Sequence, residues 1–363
     1  MSARVVVAMS GGVDSSVAAA LLCEQGYDVI GLAMRLAPES AEPAARRGGC
    51  CSYEDFEDAR RVAEKLDFPF YVVDMRRRFE RAVVDDFVSE YLAGRTPNPC
   101  ARCNQRVKFD ALWRRAEALG ARYIATGHYA RIERDPGGFA RLLRARDAAK
   151  DQSYFLFSLG QAELSRTLFP VGTMTKDEVR RRARQLGLVN ADKPESQEVC
   201  FVSGRGGYPA FVERWANGRG LRPGPVLDSQ GRTLARHSGI HRFTIGQRHG
   251  LGVSAGAPLY VREIRSESAE VVVAERAALK SRGLLAREVS LVRPELGTGG
   301  QIDAEVKVRY RHPALPARVI VEQQGHAVVW FERPGPAVSP GQVCVFYRGE
   351  ELVGGGFIER PLN

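Results

Sequence analysis

Residues 4–25 constrain this chain more than any other stretch. A short apolar run, Arg4–Met9, meets Ser10-Gly-Gly-Val-Asp-Ser-Ser16 and passes directly into an Ala- and Leu-rich segment, Asp14–Gln25, closed by Gly26. The spacing predicts a strand, a tight glycine turn and a helix. Glycines let the backbone turn so that successive N–H groups converge. The first turn of the helix adds its own N–H groups and its dipole, so the loop suits an anion such as phosphate. It is not a Walker A loop, because no lysine follows the glycines, and the dinucleotide pattern G-x-G-x-x-G is absent. A glycine turn merely capped by Ser and Asp is the bland alternative, and the strand–loop–helix setting argues against it.

The same alternation continues to about residue 200. Tyr27–Met34, Phe70–Asp74 and Arg122–Thr126 read as strands; Tyr53–Leu66, Arg76–Leu92 and Val107–Leu119 read as helices. Thr175-Lys-Asp-Glu178 has the spacing of a capping box ahead of a helix over Val179–Leu186. Strands alternating with helices predict a doubly wound parallel sheet covered on both faces. Ala37–Gly49 reads as a polar loop, and Thr96–Asn104 as a rigid loop bounded by prolines. Beyond about residue 205, after a short helix at Tyr208–Trp215, the chain turns β-rich, with a hairpin around Ser266–Ser268. Evenly spaced strand-like runs follow at Leu284–Val292, Ala304–Tyr310, Arg318–Glu322, Ala327–Phe331 and Val343–Tyr347. Three domains are expected: an α/β domain over 1–205, a small β-rich domain over 206–282 and a C-terminal β-barrel over 283–363.

No apolar run approaches the ~18–20 residues that span a bilayer. The start of the chain is too short in apolar residues for a secretory signal, so a cytoplasmic location and no membrane partner are expected. With 53 basic and 43 acidic side chains the net charge is +10. That balance fits a polyanionic partner, and equally a generally basic surface. Seven cysteines in such a chain do not form a disulfide scaffold.

The S-G-G-x-D-S pattern resembles the loop of the ATP pyrophosphatases, which hold the pyrophosphate of ATP while the α-phosphate is attacked. The resemblance implies ATP contacts from Ala8, Met9, Ser10, Gly11, Gly12, Val13, Asp14 and Ser15. Such chemistry uses a divalent cation, Mg2+, with Asp14 as a candidate indirect ligand. Met34 ends the second strand, where it either faces the adenine or fills the core. Ala125-Thr-Gly-His-Tyr129 follows another strand at the edge where open α/β sheets take ligands. There Gly127 would admit a nucleotide, and His128 either contacts substrate or satisfies itself within the loop.

Cys100 and Cys103 form a C-x-x-C, and Cys200 lies in Glu195-Ser-Gln-Glu-Val-Cys-Phe201. Three readings compete: sulfur transfer through a persulfide, a zinc or iron–sulfur site, and inert thiols. Inert thiols are the expectation for Cys23 and Cys344. The metal reading would use Cys100, Cys103 and Cys200 with Cys50 or Cys51 as a further candidate ligand; the latter two receive no other role.

Together these blocks resemble the bacterial tRNA-specific 2-thiouridylases over essentially the whole chain. The matching stretches are Ala8–Ser16, Gly94–Pro99, Cys103-Asn104, Ala125–Tyr129, Lys150–Phe155, Cys200-Phe201, Thr244–Arg248, Val308–Arg311 and Ser339–Gln342. The resemblance implies adenylation of the C2 oxygen of the wobble uridine by ATP. Sulfur would then come from a persulfide on Cys200, loaded by a sulfur-relay protein. Cys103 would attack that persulfide as AMP leaves, giving a transient Cys103–Cys200 disulfide. Asn98, Pro99 and Cys100 would border the flipped base. His128, Lys150, Asp151, Gln152, Arg309, Tyr310 and Gln342 would contact the tRNA. Some members carry an acidic residue where this chain has Cys100. That departure raises an alternative in which Cys100, Cys103 and Cys200 hold an iron–sulfur cluster with hydrosulfide as donor. An amidating ligase sharing the same loop is a further alternative, and it leaves Cys103 and Cys200 without work.

Overall fold

The computed structural model describes residues 2–36, 53–195, 199–202, 206–254, 256–293 and 300–363. The expected loop Ala37–Gly49 and both Cys50 and Cys51 lie outside the described residues. Contacts divide the chain into two compact units. One comprises 1–83, 100–204 and 350–353, the other 84–99, 205–349 and 354–363.

The first unit holds strands β1 (Arg4–Ala8), β2 (Asp28–Arg35), β3 (Phe70–Asp74), β4 (Tyr123–Thr126), β5 (Ala130–Arg134), β6 (Ala140–Arg144) and β7 (Thr167–Leu168). Five of them make a parallel sheet in the order β3-β2-β1-β4-β7. Val5, Val6 and Val7 are all fully buried. Both faces of β1 are therefore covered, and its sequence reads as an unbroken apolar run rather than an alternation. The chain leaves β1 toward β2 and β3, then crosses back to β4 on the other side. The crevice of such a sheet opens at the carboxyl ends of the two strands where the order reverses. Here those strands are β1 and β4, whose ends carry Ser10–Ser16 and Gly127–Tyr129.

Two expectations change. The helix expected over Arg76–Leu92 is Arg76–Phe79, a wide π turn at Glu80–Val84, and then Asp85–Leu92. A second π turn, Asn104–Lys108, precedes the helix Phe109–Ala118. Each such turn inserts a residue into the helical ladder. The expected loop over Thr96–Asn104 is helical from Pro99 to Cys103. Pro99 stands at the first helical position, where its missing N–H costs nothing. The antiparallel pair β5–β6 was not expected, and β6 also pairs with Glu351 and Leu352.

The second unit contains the helix Gly207–Ala216 and a four-stranded sheet. Its strands are β8 (Gly224–Leu227), β9 (Thr233–His237), β10 (Tyr260–Arg265) and β11 (Glu270–Ala274), packed over a core of Val226, Ile240, Phe243, Val261 and Val271. The hairpin at Ser266–Ser268 is present, with Arg265 opposite Glu270. Strands β12 (Ser281–Leu291), β13 (Gln301–Lys307), β14 (Leu315–Val321), β15 (Ala327–Gly335), β16 (Val343–Arg348) and β17 (Glu351–Leu362) follow. They run in the order β12-β15-β14-β13-β16-β17, and β12–β17 pairing closes the barrel. The strand β17 was not expected, because Leu352-Val-Gly-Gly-Gly-Phe-Ile358 looks like a turn. A Cβ on Gly354 would stand 2.7 Å from the Ser290 carbonyl oxygen, and one on Gly356 2.9 Å from that of Arg287. Glycine is what lets the closing strands approach. Among the described residues, no helix is long and apolar enough to cross a membrane.

Candidate nucleotide and sulfur-transfer site

The phosphate loop is held from within. Ser15 Oγ donates to the Gly12 carbonyl at 3.0 Å and accepts from the Ser10 N–H at 3.2 Å. Ser16 Oγ donates to the same carbonyl at 3.1 Å. Gly11 has φ +74°, and a Cβ there would meet the Asp55 carbonyl oxygen at 2.2 Å. Asn190 Nδ2 donates to the Gly11 carbonyl and to Ser16 Oγ, both at 2.9 Å. These bonds fix the N–H groups at the start of the helix Val13–Glu24.

Ala8, Met9, Ser10, Asp14, Ser15 and Met34 line a cavity of about 220 Å³, closed on the β4 side by Gly127 and His128. Gly11, Gly12 and Val13 shape the loop itself. Met34 is 9 % exposed, enough to reach the cavity from the end of β2. Gly127 lines this cavity and also faces the loop: a Cβ there would lie 2.6 Å from the Ser15 nitrogen and 2.7 Å from the Asp14 carbonyl carbon. Its bareness admits the phosphate loop's own backbone. His128 is bound within the loop through Nδ1 and Thr126 Oγ1 at 2.8 Å, and its ring stacks on Phe109. Desolvation and the Lys108 ammonium lower its pKa to about 3, so the imidazole that borders the cavity is neutral.

Asp14 is engaged on both oxygens. Lys176 Nζ donates to Oδ1 at 2.7 Å and to Oδ2 at 2.8 Å, and the Tyr129 hydroxyl donates to Oδ1 at 2.7 Å. Burial, and then the Asp14 charge, raise the Tyr129 pKa and keep it a donor. Lys176 also lies 3.1 Å from Glu195 Oε1, and Lys150 bonds Glu195 Oε2 at 2.7 Å. Desolvation pushes the Glu195 carboxyl up, but hydrogen bonds from Lys150 and Lys176 outweigh it and hold the group below its usual range. Tyr129, Lys176, Asn190 and Glu195 were missed as site residues. Lys176 sits inside the capping box, where its neighbours explain the pattern without it: Thr175 Oγ1 accepts from the Glu178 N–H at 3.3 Å.

The remaining expected residues fall in both units. Cys103 is 5 % exposed, Cys100 is exposed, and Cys200 is half-buried in a turn closed by the Val202 N–H to the Val199 carbonyl. Phe201 packs edge-on against Phe79 at 5.6 Å. Among the described residues no three His, Cys, Asp or Glu side chains gather as a metal site, so Cys100, Cys103 and Cys200 do not form a three-thiolate cradle. Burial pushes the Cys344 thiol up to about 12, and burial and then Glu24 raise that of Cys23, which suits inert thiols.

Asp151 is 7 % exposed, and its Oδ1 accepts from the Ala145 and Ser153 N–H groups. Gln152 Oε1 accepts from the Tyr129 N–H at 3.0 Å, and the residue lines the same cavity of about 220 Å³. In the second unit, Gln342 Nε2 donates to the carbonyls of Thr96 and Pro97 at 3.0 and 3.1 Å, fixing the backbone just before Asn98 and Pro99. Arg309 Nη2 bonds Ile245 O, Ala337 O and Ser339 Oγ, so the guanidinium is anchored internally. Half-buried Tyr310 has the Lys307 ammonium 5.8 Å from its ring centre.

Three family models match in succession. They are described as a tRNA methyl transferase HUP domain over residues 3–204, a tRNA methyl transferase PRC-barrel domain over 211–275, and an aminomethyltransferase β-barrel domain over 281–358. Full-length relatives carry a different activity in their names. The tRNA-specific 2-thiouridylase MnmA of Geotalea uraniireducens is 50% identical over 363 residues, covering 99% of this chain and 96% of that protein. The protein of the same name from Geobacter metallireducens is 50% identical, covering 99% and 98%. That of Heliobacterium modesticaldum is 48% identical over 365 residues, covering 100% and 94%.

Proposed function

The chain belongs to the tRNA-specific 2-thiouridylase family, and from that premise we propose that it uses ATP to replace the C2 oxygen of a tRNA wobble uridine with sulfur. The observation that carries this reading is the phosphate loop at the β1/β4 crevice, in one compact unit with Cys103 and Cys200. A uridine C2 oxygen is a poor leaving group until it is esterified to AMP. The loop's convergent N–H groups suit the phosphates whose charge develops as pyrophosphate departs. An amidating ligase would use the same loop but give neither cysteine a task.

In the second half-reaction Cys200 carries a persulfide, Cys200–S–SH, supplied by a sulfur-relay protein. The Cys103 thiolate attacks the Cys200 sulfur, the S–S bond to the outer sulfur breaks, and hydrosulfide is released. Hydrosulfide adds to C2, and the C2–O bond breaks with AMP as leaving group, carrying the original oxygen. The product is 2-thiouridine with a Cys103–Cys200 disulfide, which a dithiol reductant must restore by two electrons. The cluster alternative lacks a fitting cradle among the described residues, and no step is routed through it.

Asp14 fits a Mg2+ ion held through water. Among the described residues, Lys176 and Tyr129 take both acceptor positions of Oδ1, while Oδ2 accepts once. Such an ion would neutralise the pyrophosphate. Lys150, Arg309, Tyr310, Gln342 and the Asn98–Pro99 segment are proposed as tRNA contacts, with the barrel over 283–363 as the RNA-facing domain. Cytoplasm is the compartment that this substrate implies.

The test is nucleoside mass spectrometry of unmodified tRNA incubated anaerobically with the protein, ATP, Mg2+ and a sulfide source. Formation of 2-thiouridine and AMP is expected. Absence of both would overturn the reading.

A further inference from the structure

Lys176 opens the helix Lys176–Gln185, and its side chain runs back to the phosphate loop. The residue is only 8 % exposed. Its ammonium chelates both oxygens of Asp14 at 2.7 and 2.8 Å, lies 3.1 Å from Glu195 and sits 5.8 Å from the Tyr129 ring centre. Burying an ammonium is costly unless carboxylates compensate it, and removing it would leave two carboxylates uncompensated. The segment leading to Cys200 is fastened to the same place by two more side chains. Asn190 bonds Gly11 and Ser16, and Lys193 bonds Asp55 at 2.7 Å and Asp58 at 2.5 Å. Glu195, five residues before Cys200, is the last of these ties.

We propose that Lys176 is a positioning residue for both half-reactions: it fixes Asp14 beside the nucleotide cavity and, through Glu195, fixes the root of the segment that carries Cys200. The proposal rests on the thiolation reading above. Chelation of both Asp14 oxygens sets the orientation of that carboxylate. Lys176 does not border the nucleotide cavity, so its effect passes through Asp14 and falls on the rate constant rather than on ATP affinity.

The experiment compares wild type with Lys176→Met, Lys176→Arg, Glu195→Gln and the double variant Lys176→Met/Glu195→Gln. It measures tRNA-dependent AMP formation, 2-thiouridine per AMP with a persulfide-loaded sulfur-relay protein as donor, so that sulfur must pass through Cys200, and thermal melting. Lys176→Met should lower kcat for AMP formation about 100-fold, the cost of an ångström-scale misplacement, with KM for ATP changed less than about threefold. Lys176→Arg should recover at least about tenfold of that loss, because it keeps the charge. Glu195→Gln should lower 2-thiouridine per AMP more than it lowers AMP formation. The double variant removes one charge of each sign and guards against simple unfolding. It should melt closer to wild type while remaining impaired in AMP formation. Wild-type kcat in a folded Lys176→Met, or full recovery of AMP formation in the double variant, overturns the proposal. A wild-type protein that forms no AMP overturns the thiolation reading instead.

Discussion

Replacing Gly127 by alanine probes the placement of the phosphate loop with a single methyl group. The added Cβ would meet the Ser15 nitrogen at 2.6 Å, the Asp14 carbonyl carbon at 2.7 Å and the Ser15 Cα at 2.9 Å. Comfortable heavy-atom contacts begin near 3.5 Å, so the overlap is roughly 0.8 Å against three backbone atoms. No side chain can swing away to relieve it. The bonds from Ser15 to Gly12 and Ser10, and from Asn190 to Gly11, resist local adjustment, so β4 and the loop must separate. Overpacking of this kind costs about 1–3 kcal/mol of stability. A displacement approaching 1 Å at the reacting centre costs about 100-fold in rate, equivalent to about 2.7 kcal/mol. Gly127→Ala should therefore fold, melt earlier, and lose about two orders of magnitude in kcat/KM for ATP in tRNA-dependent AMP release. Gly137→Ala is the control, because its Cβ would meet only side-chain atoms at 3.3 Å or more. A folded Gly127→Ala with kcat/KM within about threefold of wild type would refute the argument.

With a persulfide-loaded sulfur-relay protein as donor and no free sulfide, Cys200→Ser should still release AMP when given tRNA and ATP but form no 2-thiouridine; thiolation at the wild-type rate would remove Cys200 as the sulfur carrier. Arg309→Ala deletes bonds to two carbonyls and Ser339 Oγ, so unfolding free energy should fall by about 1.5–3 kcal/mol, and the salt dependence of tRNA binding should become shallower. An unchanged denaturation midpoint would refute the internal anchor, and an unchanged salt slope the tRNA contact. His128, with its folded pKa lowered to about 3 by burial and Lys108, remains neutral while the unfolded chain protonates near 6.5. The unfolded state then binds the extra proton, so stability is complete above about pH 6.5 and falls toward pH 3 by up to about 1.4 kcal/mol per pH unit. His128→Gln should flatten that slope in urea titrations at pH 7 and pH 5, and an equal slope in both proteins would refute the assignment.

The sequence shows most clearly what local chemistry enforces. The run Val5–Val7 announces a strand buried on both faces, Thr175 and Glu178 announce a helix start, and the glycines at 11 and 12 announce the phosphate loop. It conceals what depends on distant partners. The π turns at Glu80–Val84 and Asn104–Lys108 add residues without changing composition, so Arg76–Leu92 looks continuous. Gly354–Gly356 resemble a turn until β12 lies against them. Lys176 reaches Asp14 across 162 positions, and nothing near either residue marks the pairing. Gly127 was legible as a place of close approach, and the backbone that the structure brings there is that of Asp14 and Ser15. Asp151 and Arg309 stand in motif blocks, yet their hydrogen bonds serve the fold itself.

The last strand bears on how the protein is made. Leu142 and Leu143 of β6 pair with Leu352 and Glu351, at the far end of the chain. A ribosome adding about 5–20 residues per second needs roughly 10–40 s to travel from one to the other. Throughout that interval the nascent first unit displays β6 with one margin open, a template for pairing with a neighbouring chain. Arg141 and Arg144 flank the two leucines, and charge at an open margin discourages such pairing. The first unit is therefore complete only once residues 351 and 352 have been made. A chain that terminates before residue 351 would retain the phosphate loop and both proposed sulfur-handling cysteines while keeping that margin permanently exposed.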